Sequence, residues 1–297
     1  MVILDSSRKV NKQGLTEEEF LRAYDPNKFE RPSVTVDMLV FTVAEEKKSA
    51  DRKKKLKLLM VKRGDHPCIG QWALPGGFIN MDENLDEAAM RELKEETNVD
   101  NIYMEQLYTW GDVGRDPRTR IISTSYISLV NSRLLDVKAN DDADDARWMT
   151  VSCELFQEQR TVTGKTCTHE QLYRLALSNE EVNVSAVVKK SRIIEGRITK
   201  VKWDILETND IAFDHAKIIM YGLENLRNKV ENTDIAFILV PDLFTLSELK
   251  EVYEAILDRK ISDENFRDKI SGMVVETDKY AETPGEEKEK LFTYNPK

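Results

Sequence analysis

GGFINMDENLDEAAMRELKEETNV, residues 76–99, is the stretch on which the fold turns. Glu92, Glu95 and Glu96 stand at i, i+3 and i+4, so a helix carries all three carboxylates on one face. Like charges at that spacing cost a helix roughly 0.2–0.5 kcal/mol per pair, and a bound cation removes the cost. Oxygen-only donors suit Mg²⁺ or Mn²⁺ rather than zinc. The bounds of the helix are legible too. Asn84 is a good N-cap with Glu87 three residues on. Leu85, Ala89 and Leu93 repeat as a buried stripe expected opposite the acidic face. Asn98 falls at the expected end, where a C-terminal cap often needs the left-handed conformation. Ahead of the helix, Leu74-Pro75-Gly76-Gly77 reads as a loop whose backbone approaches a ligand unobstructed.

In this register the stretch resembles the signature of the Nudix hydrolases. That signature is a Gly, five residues, a Glu, seven residues, then Arg-Glu-apolar-any-Glu-Glu-any-Gly-apolar. Gly77, Glu83, Arg91, Glu92, Leu93, Glu95, Glu96 and Val99 match it, and only the late Gly departs, as Asn98. That position asks for backbone conformation rather than chemistry. The resemblance implies a Nudix α/β/α sandwich around a mixed sheet, followed here by a small winged-helix-like domain. It also implies Mg²⁺ (or Mn²⁺) held by Glu92, Glu95, Glu96 and the Gly76 carbonyl. Glu83 then completes or orients the metal shell, and Arg91 holds the box glutamates through ion pairs. Glu83, Arg91, Glu92, Glu95 and Glu96 are the catalytic candidates.

Outward from the box, Val34 to Val43 and Leu56 to Val61 read as strands rich in β-branched and apolar residues. The charged run EEKKSADRKKK between them reads as a solvated hairpin tip. Downstream, Tyr103 to Trp110 and Ile121 to Val130 are further expected strands. They bracket GDVGRDPRTR, where Arg115, Arg118 and Arg120 lie among turn-forming Gly and Pro. Three guanidiniums there suit bidentate grip of a pyrophosphate; the alternative is a solvated loop paired to Asp112 and Asp116. The run resembles the corresponding segment of ADP-ribose-type Nudix members and of the Nudix-related regulators of NAD metabolism. In ADP-ribose pyrophosphatases the later acidic loop often supplies one more carboxylate. Asp141, Asp142, Asp144 and Asp145 are the candidates, and nothing in the sequence chooses among them. Within 155–205, Leu172–Leu177, Val184–Val188 and Val201–Ile205 read as strands elaborating the core, without a motif.

Asp214 opens a helix on which Ile218, Ile219, Leu223, Leu226 and Val230 keep helical spacing. Ala236 to Val240 reads as a short strand ended by Pro241. Thr245 and Glu248 form a capping box for a helix with Leu246, Leu249, Tyr253, Ile256 and Leu257 inward. Ser262 caps another with Phe266 and Ile270 inward. Met273–Thr277 and Leu291–Tyr294 then make two strands around Thr283-Pro284-Gly285. Helix, turn, helix and wing is a winged-helix order, similar to the domain that the Nudix-related regulators use on DNA. The expected organisation is an N-terminal extension (1–32, with a short helix in EEEFLRAYD), a Nudix domain (33–210), a connecting helix (211–233) and a winged-helix-like domain (234–297).

Composition bounds the function. The net charge of −10 leaves no overall basic footprint for nucleic acid or anionic membrane. No apolar run approaches a membrane span and the N-terminus lacks a signal-peptide core, so a cytoplasmic protein without a membrane partner is expected. Cys68, Cys153 and Cys167 are scattered and read as free thiols. His66, His169 and His215 are isolated and receive no role. The expected activity is Mg²⁺-dependent cleavage of a nucleoside diphosphate linked to another moiety, ADP-ribose giving AMP and ribose 5-phosphate. The alternative is an ADP-ribose-sensing transcriptional regulator. From Asp234 onward nine Lys and Arg stand against fifteen Asp and Glu, and DNA binding draws its affinity from phosphate neutralisation. The expected reading helix carries Asp263, Glu264 and Asp268 against Arg267 and Lys269. DNA is therefore disfavoured, the box has kept every carboxylate, and the enzyme reading is preferred. The family resemblance implies a homodimer.

Overall fold

The computed structural model describes residues 9–46, 53–97, 102–134, 146–281 and 288–296. Four expectations fall outside these: the middle of the charged run after the first strand, Asn98 with Val99, the four candidate aspartates Asp141, Asp142, Asp144 and Asp145, and the Thr283-Pro284-Gly285 turn. The chain divides into two units, Met1–Pro32 and Ser33–Lys297. The first holds α1 (Glu17–Ala23), started by a reciprocal capping box between Thr16 and Glu19.

The second unit is built on β1 (Ser33–Glu45), whose residues from Thr35 to Val43 are all buried. A strand covered on both faces reads as a near-continuous apolar run, and Met38 to Phe41 do, with Thr35, Asp37 and Thr42 as the buried polar exceptions. Around it come β2 (Lys54–Lys62), β3 (Trp72–Ala73), β4 (Gly76–Phe78), α2 (Leu85–Thr97), β5 (Tyr103–Trp110) and β6 (Ile121–Leu129). β1 pairs parallel with β6 and antiparallel with β2 and β4, which makes the sheet mixed. The two faces of β1 supply two cores. Val36, Met38 and Val40 pack with Ala88, Ala89 and Leu93 of α2. Leu39, Phe41 and Val43 face the opposite way, toward the helices that follow. Each such fully buried aliphatic side chain is worth about 1.5–3 kcal/mol relative to exposure. The layers are thus helix, sheet, helix, the Nudix arrangement.

The region after residue 145 differs most from expectation. The three short strands expected within 155–205 are parts of β8 (Thr166–Ser178), β9 (Asn183–Glu195) and β10 (Ile198–Asn209), and a fourth long strand, β7 (Ala146–Thr163), precedes them. They form an antiparallel meander that extends the sheet in the order β10-β9-β8-β7-β2-β1-β6-β5. Its outer half meets solvent on both faces, so no apolar alternation marks it in the sequence.

α3 (His215–Asn232) crosses the sheet so closely that a Cβ on Gly222 would lie 2.4 Å from Leu39 Cδ2. Where a strand was expected over Ala236–Val240, Ile235–Leu239 form a 3₁₀ helix instead. A run of five apolar residues does not separate strand from helix by periodicity, and here four of them are buried by neighbours on several sides. The winged-helix domain follows as α4 (Leu246–Leu257), α5 (Asp263–Ile270), β11 (Val274–Ala281) and β12 (Glu289–Tyr294). Thr245 with Glu248, and Ser262, cap the two helices as expected. Phe244 and Phe292 exchange backbone hydrogen bonds of 3.1 and 2.8 Å, stitching the wing to the start of α4. Leu249, Tyr253 and Phe266 join the same buried cluster as Leu39 and Leu58. Among the described residues no helix is long and apolar enough to cross a membrane.

Candidate active site

The box is assembled by β4 and α2. Asn84 caps α2: its Oδ1 accepts from Glu87 N at 3.0 Å, and the Glu87 carboxylate accepts from Asn84 N at 2.8 Å. Ala88, Ala89 and Leu93 are buried, while Leu85 is only half-buried. Glu92 does not face away from that stripe. It lies beside it, buried, under the glycine loop, so close that a Cβ on Gly77 would meet Glu92 Oε1 at 2.3 Å. A Cβ on Gly76 would lie 2.2 Å from Val36 O, and its φ of +154° is unfavourable for other residues. Gly76 is therefore required by its approach to backbone, whereas a side chain at Gly77 would displace the Glu92 carboxylate.

Arg91 organises the carboxylates. Its Nε and Nη2 donate to the two oxygens of Glu83 at 3.1 and 2.8 Å, and Nη1 donates to Glu92 Oε1 at 2.8 Å. Nη1 also lies 3.6 Å from Glu95 Oε2. The bidentate pair with Arg91, joined by the Asn80 N–H, holds the Glu83 carboxyl down at about 2. Burial pushes Glu92 the other way, up from the usual carboxylate range, and Arg91 only partly offsets this. Glu95 is 58% exposed on its side chain, so it turns without disturbing the core.

As they stand, no three Asp, Glu, His or Cys side chains converge on one point among the described residues. The donor chemistry nonetheless fits an oxygen-seeking divalent cation. Arg91 answers three glutamates, Glu83, Glu92 and Glu95, with a single charge. The Gly77 backbone lies against Glu92 without a side chain between.

The arginine loop separates into three different environments. Arg115 turns inward: its side chain is 6% exposed, with Nε and Nη2 on Asp214 at 3.0 and 2.7 Å and Nη2 3.5 Å from Asp37 Oδ2. Arg118 stays at the mouth, paired with Asp116 and placed over the rings of Phe78 and Phe213 at 5.4 and 5.9 Å. Phe78 directly follows Gly77, so Arg118 borders the box. Arg120 donates to the backbone carbonyls of Gly111 and Asp112 at 2.6 and 3.0 Å.

Four residues were given no role on sequence grounds. Arg63 lies 4.8 Å from the Phe213 ring, which places a second guanidinium on the same aromatic as Arg118. Asp37, Asp214 and His215 surround Arg115 and the glycine loop. The contacts that tie them to Arg115, to the glycine loop and to each other span 78 to 178 residues, so no local spacing signals them.

The Nudix domain family matches residues 35–165, and the NrtR DNA-binding winged helix domain family matches residues 236–293. An ADPR responsive transcriptional repressor, NtrR of Acinetobacter baylyi, is 28% identical over 89% of this chain and 82% of its own length. An ADP-ribose pyrophosphatase of Methanocaldococcus jannaschii is 38% identical over 96 residues, 32% of this chain and 56% of that protein. The crystal structure of a MutT/nudix family protein from Enterococcus faecalis superposes with a TM-score of 0.66 and 26% identity. That alignment covers 95% of this chain and 94% of that one.

Proposed function

The chain carries a Nudix domain and an NrtR-type winged-helix domain, and from that premise we propose that it is a Mg²⁺- or Mn²⁺-dependent pyrophosphohydrolase of ADP-ribose. The observation that carries this reading is the box itself, with every carboxylate kept and more negative charge than Arg91 neutralises. Glu92, Glu95 and Glu96, with the Gly76 carbonyl, would hold the cation. When bound, it supplies Lewis-acid stabilisation of charge on the phosphoryl oxygens. The chain's own residues do the rest. Arg91 holds Glu83 ionised and Glu92 in place. Arg118 and Arg63 present guanidiniums at the mouth to a diphosphate, and the Phe213 face beneath them offers an apolar surface to the rest of the ligand. Positioning and electrostatics supply most of the rate in such phosphoryl chemistry. ADP-ribose as substrate draws support from the likeness to the pyrophosphatase and to the ADPR-responsive repressor. A homodimer in the cytoplasm completes the proposal.

A second reading has its own observation. The likeness to the repressor runs over 89% of this chain and includes the winged-helix domain. On that reading the Nudix site senses ADP-ribose and α5 reads DNA. One experiment weighs both: ADP-ribose turnover with Mg²⁺, with and without chelator, beside a mobility-shift titration of the DNA upstream of the gene. We expect chelator-sensitive release of AMP and no specific complex at physiological salt. A nanomolar complex dissolved by ADP-ribose, with negligible turnover, would establish the regulator instead.

A further inference from the structure

Around the start of α3 lies a buried charged cluster that the box chemistry does not use. Asp37 on β1 is 8% exposed and His215 5%. Arg115 from the arginine loop forks onto Asp214 and reaches Asp37, and Ser123 Oγ donates to Asp37 Oδ2. Lys217 Nζ stands 3.7 Å from Asp214 and 2.5 Å from Asp112. Asp214 occupies the N-cap position of α3, yet its side chain makes no capping bond, because Arg115 takes it. Two non-glycine residues just before the helix, Asp210 and Phe213, hold left-handed φ angles of 59° and 52°. Strained backbone of this kind persists only where its surroundings over-determine it.

The cluster touches the glycine loop at one atom. Leu74 N–H donates to His215 Nδ1 at 2.8 Å. Since Nδ1 accepts, the imidazole proton sits on Nε2, which faces Asp37 Oδ1 at 3.8 Å. Next in the chain is Pro75, which has no N–H to give; its carbonyl is held by Met38 N at 2.8 Å. Trp72 is tied to the same segment from both sides, its N–H to Asp210 O and its carbonyl to Ala212 N, each at 2.8 Å. Gly76 then pairs with Asp37 in register.

We propose that His215, oriented by the Asp37–Arg115–Asp214 cluster, is a positioning residue that sets the Leu74–Gly76 backbone against the box glutamates from the first turn of α3. The part that concerns the cation rests on the proposed hydrolase reading; the part that concerns the loop backbone does not. A buried histidine that merely fills space would be replaceable by any residue of similar volume. A positioning histidine needs an acceptor where Nδ1 stands.

His215→Ala, His215→Asn and His215→Gln separate the two cases. The Asn side chain puts its carbonyl oxygen near the Nδ1 position, whereas Gln reaches toward the Nε2 side. Three readouts are taken on the full chain: amide exchange of the Leu74–Gly77 segment, Mn²⁺ affinity by electron paramagnetic resonance with the metal alone, and the Mg²⁺ dependence of ADP-ribose turnover. Loss of an outer-shell partner weakens metal affinity about 10–100-fold. His215→Ala and His215→Gln are expected to speed exchange in the loop, leaving β8 and β9 unchanged, and to raise the Mn²⁺ Kd about tenfold. His215→Asn is expected to restore both. Where His215→Ala fails to fold, Asp37→Asn takes its place, with the same direction expected in a nearly isosteric side chain. Unchanged loop exchange, or Asn as impaired as Ala, overturns the proposal. If the wild type binds no Mn²⁺ and turns nothing over, the hydrolase reading falls, and the exchange data still decide the role of His215.

Discussion

The box and the winged-helix domain treat charge in opposite ways. In the box one arginine serves several carboxylates, and negative charge is left over. In the winged-helix domain acidic residues outnumber basic ones fifteen to nine, but they are spread out, and the ion pairs stand singly. Lys250 pairs with Asp263, Lys260 with Glu254, Arg259 with Glu231 and Lys290 with Glu276, and Lys269 donates to the Glu231 carbonyl. Carboxylates crowded on one arginine are costly to hold together, so their presence points to a counter-ion the fold expects. Single, partly exposed pairs point to nothing beyond a solvated surface. The exposed face of α5 (Asp263, Glu264, Asn265, Arg267 and Asp268) adds no surplus of positive charge for a phosphate backbone.

The contrast breaks most visibly at Arg115, in the buried cluster behind the glycine loop. Removing one partner of a buried pair leaves an uncompensated charge and costs about 3–5 kcal/mol. Arg115→Ala should therefore lower unfolding stability by that order in a urea titration, with Asp214 and Asp37 left behind. A loss below about 1 kcal/mol would place Arg115 with the surface pairs instead.

Next in size is the loss of one box carboxylate. Glu95→Gln should lower turnover by about 10²–10³, the scale of removing one electrostatic contact made at the reacting group. Because Glu95 repels its neighbours without a cation, melting temperature measured without Mg²⁺ should hold or rise. Near wild-type rates would mean that the box no longer serves hydrolysis, and the regulator reading would gain.

What the sequence revealed and what it concealed follow the same line of locality. The box was legible because caps and carboxylates lie within one short stretch: Asn84 and Glu87 make the contacts their spacing implies, and Arg91 pairs with Glu83 in the way the family resemblance implies. The winged-helix caps at Thr245 and Ser262 were legible for the same reason. Arg115 was placed in a ligand loop by composition, and its burial depends on Asp214, 99 residues later. His215 gave no signal, since its partner is a backbone N–H 141 residues earlier. The outer meander was hidden by exposure on both faces, which erases the period of two that marks a half-buried strand.

A smaller effect tests the winged-helix side of the contrast. Neutralising its exposed helix with Asp263→Asn, Glu264→Gln and Asp268→Asn removes repulsion toward phosphate without touching Phe266 or Ile270, which are buried. Weak, sequence-independent DNA binding at low salt should tighten several-fold and become more salt-dependent. If the triple variant instead loses a specific complex that the wild type forms, those residues contact bases, and the acidic face is a reading surface after all.

The smallest expected effect concerns Lys260 and Glu254, one of the single pairs. Glu254 is held below the usual carboxylate range: burial pushes it up, but the Ile261 N–H at 3.0 Å and the Lys260 ammonium at 2.5 Å outweigh that. The Lys260 side chain is 82% exposed, so solvent screens most of the attraction. Lys260→Gln should then cost no more than about 0.5 kcal/mol at low salt and less in high salt. The sign with pH follows from linkage. A carboxylate depressed in the folded state stabilises above its unfolded pKa, and that stability is lost as pH falls through the folded value. Glu254→Gln keeps an oxygen for the Ile261 N–H but cannot ionise, so its unfolding free energy should fall less than that of wild type between pH 6 and pH 3. Equal acid sensitivity in the two proteins would move the acid response away from this pair, toward the box carboxylates held by Arg91.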